Sequence, residues 1–349
     1  MRKALVAIAL LLGALGAVAA APPAPGSALR ALSSAREQLL QQFEAVEKHG
    51  GRGLALDLTV RLSDDMQELS QERPAGYAAA DWNARQQYLA SLDAELVAQL
   101  VKGQRAAAAA SRGLVERLSV SSVDGTWQPY ALYVPEPRAA RPSLVLLLHG
   151  RPQTEVELLS PPYFRQLADS TGTIVAAPYG RSLYDFAEPA ATEAYDTLAE
   201  VSSAFHVDPS RTFLAGYSMG GFSVFKLGPM HADRWAAMLC VSGAILNSET
   251  AAVRQGFQKK PIYVVTGSAD DSIPPKYGRM TAAYLQAAGL PVSFYWQERG
   301  THALRSLMPS LTQAWRDMIS GVVRRPANVQ LDAGLPDRPF PVPDASLRP

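Results

Sequence analysis

Residues 212–221 read Thr-Phe-Leu-Ala-Gly-Tyr-Ser-Met-Gly-Gly, so a short apolar run stops at Gly216-Tyr217-Ser218-Met219-Gly220 and a helix-compatible segment follows at once. Glycines two places either side of a serine let a strand turn sharply into a helix and leave the hydroxyl exposed at the bend. The chemistry on offer is acyl transfer, with Ser218 as the nucleophile. A serine hydroxyl attacks poorly at neutral pH and needs a base. Of the five histidines, His302 alone lies beyond the last strand-like run, after Tyr295-Trp296-Gln297-Glu298-Arg299-Gly300-Thr301. His49 falls in a helical region, His206 ends a helix, His231 follows the serine's helix too closely to reach back, and His149 at a strand end reads as structural. The third member should be an acid that accepts the second ring N–H and steadies the imidazolium. Asp270 leaves the apolar run 262–266 at a fitting distance; adjacent side chains diverge, so of Asp270 and its neighbour Asp271 one should face the histidine and the other solvent, and the motif favours Asp270.

Acyl transfer also needs two backbone N–H donors for the developing oxyanion. Met219, directly after the nucleophile, supplies one. The other is expected from the loop His149-Gly150-Arg151-Pro152-Gln153-Thr154, with Arg151 the best candidate, since Pro152 has no N–H. Arg151, Arg181, Arg299 and Arg305 are candidates to line the mouth of the site, against the plainer reading of solvated surface arginines. No His-Glu-x-x-His, Cys/His group, phosphate loop or dinucleotide fingerprint is present, so no metal or cofactor is implied.

These residues need a scaffold, and short apolar runs supply it. Leu114–Val120 and Trp127–Val134 flank a hairpin signal at Val123-Asp124-Gly125. Leu144–Leu148, Thr173–Ala177, Thr212–Ala215, Ala236–Val241, Ile262–Thr266 and Val292–Trp296 follow without polar alternation, as expected of parallel strands covered on both faces. Their spacing suits strand–helix–strand crossovers, giving an α/β class: an open, mostly parallel sheet with helices on both faces. Before it, residues 27–112 are different. An apolar stripe at helical spacing runs through Leu29, Leu32, Leu39, Leu40, Phe43 and Val46, and another through Trp82, Leu89, Leu92, Leu96 and Leu100. The segment 54–62 fits both periods; helix is favoured because its neighbours are helical. Gly50-Gly51 and Arg73-Pro74-Ala75-Gly76 are the breaks. The expected organisation is a signal peptide at 1–21, a helical N-terminal region at 22–112, a catalytic α/β domain at 113–323 and a proline-rich tail at 324–349.

Composition limits the rest. The chain has 349 residues, 48% of them hydrophobic and 19% charged, with a net charge of +1. That balance gives no reason to expect nucleic acid or anionic lipid as a partner. Arg2 and Lys3, the apolar stretch Ala4–Leu15 and the small residues Val18–Ala21 read as an export signal, so a periplasmic or extracellular protein with no membrane span in its mature form is expected. Cys240, the single cysteine, sits in an apolar run and reads as a small buried hydrophobe.

Four motifs carry a resemblance: Leu146-Leu147-Leu148-His149-Gly150, Val207-Asp208-Pro209-Ser210-Arg211 running into the serine turn, Gly267-Ser268-Ala269-Asp270-Asp271-Ser272-Ile273-Pro274, and Gly300-Thr301-His302. Over roughly residues 114–322 the chain resembles secreted α/β-hydrolase esterases. In texture it is similar to the feruloyl esterase and polyhydroxybutyrate depolymerase-like group and to prolyl-oligopeptidase-like esterases. The resemblance implies an α/β-hydrolase fold, Ser218, Asp270 and His302 as a triad, and a small-molecule or polymeric ester as substrate. The short segment between Ser242 and Lys260 lacks the large lid of lipase-like relatives, which implies an open site or one roofed by the N-terminal helices. The other readings are a peptidase with the same triad, and a binding protein on a hydrolase fold that has lost its activity.

Overall fold

The computed structural model describes residues 79–325 except Pro152 and residues 182–185, together with isolated positions 30, 33, 34, 37, 41, 58 and 335. The expected signal peptide, the stripe through 29–46, the breaks at 50–51 and 73–76 and the tail beyond 325 lie outside the described residues, those isolated positions apart. Within the ambiguous segment 54–62 the one described position, Leu58, is helical and fully buried.

Eight strands form where the apolar runs predict them, with ends within two residues: β1 Gly113–Val120, β2 Trp127–Val134, β3 Leu144–Leu148, β4 Ile174–Pro178, β5 Thr212–Tyr217, β6 Ala237–Val241, β7 Ile262–Gly267 and β8 Val292–Gln297. β1 and β2 close through the predicted turn, where Gly125 takes a φ of 75° and the Asp124 carboxylate accepts from the Thr126 N–H at 3.0 Å. The helices are α1 Ala79–Lys102, α2 Glu155–Leu159, α3 Pro162–Thr171, α4 Ala190–Phe205, α5 Met219–Met230, α6 Thr250–Gly256, α7 Pro275–Ala287 and α8 Leu304–Ser320.

The strands make one sheet in the order β1-β2-β4-β3-β5-β6-β7-β8. β2 pairs antiparallel with β1 and β4, and β3 to β8 run parallel. Side chains alternate across a strand, so each run feeds two cores. Val145 and Leu147 enter one apolar cluster with α1, α3 and α8 residues, while Leu144, Leu146 and Leu148 enter another with residues of α4, α5 and α7. That two-sided burial is why the runs lack polar alternation.

The chain moves from β3 outward to β4, then crosses back over β3 to β5 and proceeds the other way. Right-handed crossovers that reverse direction deposit their helices on opposite faces and open a crevice at the carboxyl ends of the two strands flanking the reversal. Those strands are β3 and β5. The first delivers the loop 149–154, the second delivers Ser218.

Candidate active site

Ser218 stands between β5 and α5 with φ 56° and ψ −117°. A left-handed φ on a residue with a side chain is costly and persists only where the surroundings dictate it. Here they do: a Cβ at Gly216 would run into the Gly220 carbonyl, and one at Gly220 into the Leu148 carbonyl. The backbone itself is held by the Ser218 N–H, which donates to the Val241 carbonyl at 2.9 Å, and by the Ser218 carbonyl, which accepts from the Phe222 N–H at 3.2 Å.

Asp270 and His302 come from the loops after β7 and β8, which are joined to each other. The Ser268 N–H donates to the Gln297 carbonyl at 2.9 Å, the Ala269 N–H to the Gly300 carbonyl at 2.8 Å, and the Arg299 N–H to the Ser268 hydroxyl at 2.7 Å. Nε2 of His302 lies 2.9 Å from the Ser218 hydroxyl, and Nδ1 lies 3.0 Å from each carboxylate oxygen of Asp270. Oδ1 of Asp270 also accepts from the N–H groups of Ile273 at 2.8 Å and Ser272 at 3.1 Å. Burial pushes this carboxyl's pKa up, but the hydrogen bonds from His302 and the Ile273 backbone outweigh it and hold the group below the usual carboxylate range. Asp271 is exposed. The arrangement is a hydroxyl facing a ring nitrogen, with an ionised acid behind the ring: the requirements for proton removal from Ser218.

No family model matches the chain. A curated relative, the bifunctional acetylxylan esterase/xylanase XynS20E of Neocallimastix patriciarum, is 28% identical over 151 residues. The match takes in 42% of this chain and 22% of that protein, so the chain spans about a fifth of the length of the curated relative it matches. Among solved structures, a ferulic acid esterase aligns with a TM-score of 0.51 at 17% identity, covering 59% of this chain and 98% of that one. FphF, a fluorophosphonate-binding serine hydrolase of Staphylococcus aureus solved with substrate bound, aligns with a TM-score of 0.51 at 16% identity, again over 59% and 98%. The fold is that of the α/β-hydrolases.

On this fold the other predicted positions fall as follows. Met219 is the first residue of α5 and is buried, so its N–H belongs to a helix start beside Ser218. Arg151 is exposed, and its loop abuts Ser218: a Cβ on Gly150 would stand 3.0 Å from the Ser218 Cβ. The loop is anchored at both ends. His149 is buried, with Nε2 3.0 Å from the Tyr179 carbonyl and Nδ1 2.9 Å from the Gly150 carbonyl. On the far side Thr154 and Glu157 form a reciprocal capping box at the start of α2, a Thr-x-x-Glu signal that the sequence displays. Arg181 is half-buried and engaged in ion pairs. Its Nε lies 2.9 and 3.0 Å from the two carboxylate oxygens of the buried Glu193, and one NH2 group donates both to that carboxylate and to Asp124, because a buried carboxylate needs a partner. Arg299 and Arg305 are exposed. His231 stacks edge-on to Tyr195, and His206 caps α4 with a φ of 51°. Cys240 is fully buried, and burial pushes its thiol pKa far up. Among the described residues no group of three or more His, Cys, Asp or Glu is placed to hold a metal ion, and no helix is long and apolar enough to cross a membrane.

Sequence reasoning missed Tyr217. Its hydroxyl donates to the His302 carbonyl at 2.7 Å and its ring lies 5.2 Å from the imidazole. The signal available was its place inside the glycine-flanked pentapeptide, which by itself says nothing of a partner 85 residues away.

Proposed function

We propose that this chain is an exported serine hydrolase that cleaves carboxylic esters through an acyl-enzyme. The observation that carries the reading is the 2.9 Å separation of the Ser218 hydroxyl and His302 Nε2, with Asp270 at 3.0 Å from the opposite ring nitrogen. Support for an ester as substrate comes from the acetylxylan esterase activity in the name of the 28% identical relative.

On this reading the Ser218 oxygen attacks the ester carbonyl carbon while its proton passes to His302 Nε2. The carbonyl π pair moves onto oxygen, where the N–H of Met219 and an N–H of the Gly150–Arg151 loop receive it. The tetrahedral intermediate collapses, the C–O bond to the alcohol breaks, and His302 returns its proton to the departing oxygen. Water then repeats the sequence on the acyl-enzyme and frees the acid. Asp270, ionised and fully enclosed, keeps the Nδ1–H tautomer and faces the positive ring at each proton transfer. The short connection between β6 and β7, carrying little beyond α6, suits a bulky or polymeric ester.

The test is Ser218→Ala with p-nitrophenyl acetate, alongside labelling by a fluorophosphonate. Turnover and labelling are both expected to vanish; undiminished turnover ends the assignment.

A further inference from the structure

Tyr217 touches His302 with both of its ends. It is 7% exposed and peptide-bonded to the nucleophile. Its hydroxyl grips the main chain of His302 at 2.7 Å, and its ring stands 5.2 Å from the imidazole with the planes inclined by 30°. Burial, with the Asp270 charge adding to it, pushes the phenol's pKa well above its usual value, so the hydroxyl remains a donor. The two loops that bear Ser218 and His302 arise from strands separated in the sheet by β6 and β7. One side chain therefore spans from the nucleophile's own residue pair to the base's loop. An aromatic face within about 6 Å of a cation attracts it, and His302 becomes a cation when it takes the serine's proton.

We propose that Tyr217 is a positioning residue for the base. Its hydroxyl fixes where the His302 main chain sits relative to Ser218, and its ring packs against the imidazole and favours the imidazolium during each proton transfer. The inference rests on the Ser218–His302–Asp270 reading and adds to it a residue that acts through His302.

The experiment compares Tyr217→Phe, which keeps the ring and loses the hydroxyl, with Tyr217→Leu, which loses both. The readouts are kcat and KM for p-nitrophenyl acetate per fluorophosphonate-titrated site, the second-order rate of fluorophosphonate inactivation, and the urea midpoint. Losing one neutral hydrogen bond is expected to lower kcat about fivefold in Tyr217→Phe. Losing the aromatic contact as well is expected to lower it about fiftyfold in Tyr217→Leu. KM stays unchanged, and inactivation slows in parallel because it draws on the same base. If Tyr217→Leu yields no folded protein, Tyr217→Phe decides alone. Wild-type kcat and inactivation rate per site overturn the proposal even where the urea midpoint falls, since Tyr217 would then be core packing only. A raised KM with unchanged kcat also overturns it, making Tyr217 a substrate contact. Should Ser218→Ala still turn over and label, the triad reading itself has failed, which no Tyr217 result can mimic.

Discussion

Replacing Asp270 by asparagine tests the proposed site at its most constrained point. Oδ1 is pinned by two backbone donors, Ile273 N at 2.8 Å and Ser272 N at 3.1 Å, so an asparagine must place its carbonyl oxygen there. Its NH2 then occupies the Oδ2 position, 3.0 Å from His302 Nδ1. Oδ1 also lies 3.0 Å from Nδ1, but an amide oxygen already taken by two N–H groups is the weaker acceptor, so the new donor favours an accepting Nδ1 and moves the ring proton to Nε2. The ring would then donate to Ser218 and could not take its proton. The substitution also removes the carboxylate facing the imidazolium, an attraction of about 4 kcal/mol for unit charges ~4 Å apart at an effective dielectric of about 20. Tautomer and charge together are expected to lower kcat by about three to four orders of magnitude, or about 4–5.5 kcal/mol. KM is expected to change little, because the loss is confined to the transition state. The assay is p-nitrophenyl acetate turnover, with Asp271→Asn as the control; Asp271 is exposed and should keep kcat within about twofold. If Asp270→Asn stays within tenfold of the wild type, or Asp271→Asn loses as much, the tautomer reasoning is wrong.

Two further substitutions probe the frame around the site. Gly216→Ala sets a Cβ against the Gly220 carbonyl and 3.0 Å from the Gly221 nitrogen, backbone atoms that cannot swing away; it is expected to cost about 1–3 kcal/mol, read as a lower urea midpoint at unchanged slope, and a wild-type midpoint would refute it. Asp317 is buried, which raises its pKa, but Arg324, Tyr295 and Gln313 bind its carboxylate and hold it below the usual range. Its ionisation therefore stabilises the fold fully above the unfolded value of about 3.9, and that contribution is lost as pH falls through the lower folded value. The thermal midpoint gap between wild type and Asp317→Asn should be wide near pH ~6 and narrow progressively as pH falls below about 4; a gap as wide at about pH 3 as near pH ~6 would contradict it.

The sheet was legible in the sequence because its strands are enclosed on both faces, so each appears as an unbroken apolar run such as Leu144–Leu148. The serine turn was legible because only glycine fits at 216 and 220, and Ser218, Asp270 and His302 were named from their places after the runs that became β5, β7 and β8. Contacts that depend on strand order were not legible. Arg181 meets Asp124 and Glu193 because β2 lies beside β4 with α4 over them, and no local pattern states that adjacency. Tyr217 reaches His302 only once β5 and β8 share an edge with their carboxyl ends aligned. The loop donors stayed a matter of inference for a related reason: periodicity identifies elements, and the direction of a single N–H in a turn follows from neighbours far along the chain.

Topology also explains why an α/β sheet of this kind carries a helix ahead of its first strand. Crossovers after β4, β5, β6 and β7 all run in one direction along the sheet, and a fixed hand places α4, α5, α6 and α7 on one face. Among the described elements from β1 onward, the opposite face receives the α2–α3 crossover between β3 and β4 and α8 after the last strand. Half of an eight-stranded sheet cannot leave its apolar side chains in water, at about 25 cal/mol for each Å² exposed. α1 meets that need. Leu89, Leu92, Leu96 and Leu100, spaced at helical period, are buried in the same cluster as Leu118 and Ala131 of β1 and β2 and as Leu307, Leu311 and Trp315 of α8. Polar ties fix its place: Gln99 donates to the Glu116 carbonyl at 3.2 Å, and Arg117 pairs with Glu95. The composition change near residue 113 therefore marks where helices give way to strands, while the packing runs through it without interruption. The helix that follows His302 is held against the same layer, so α1 completes the face on which that helix packs.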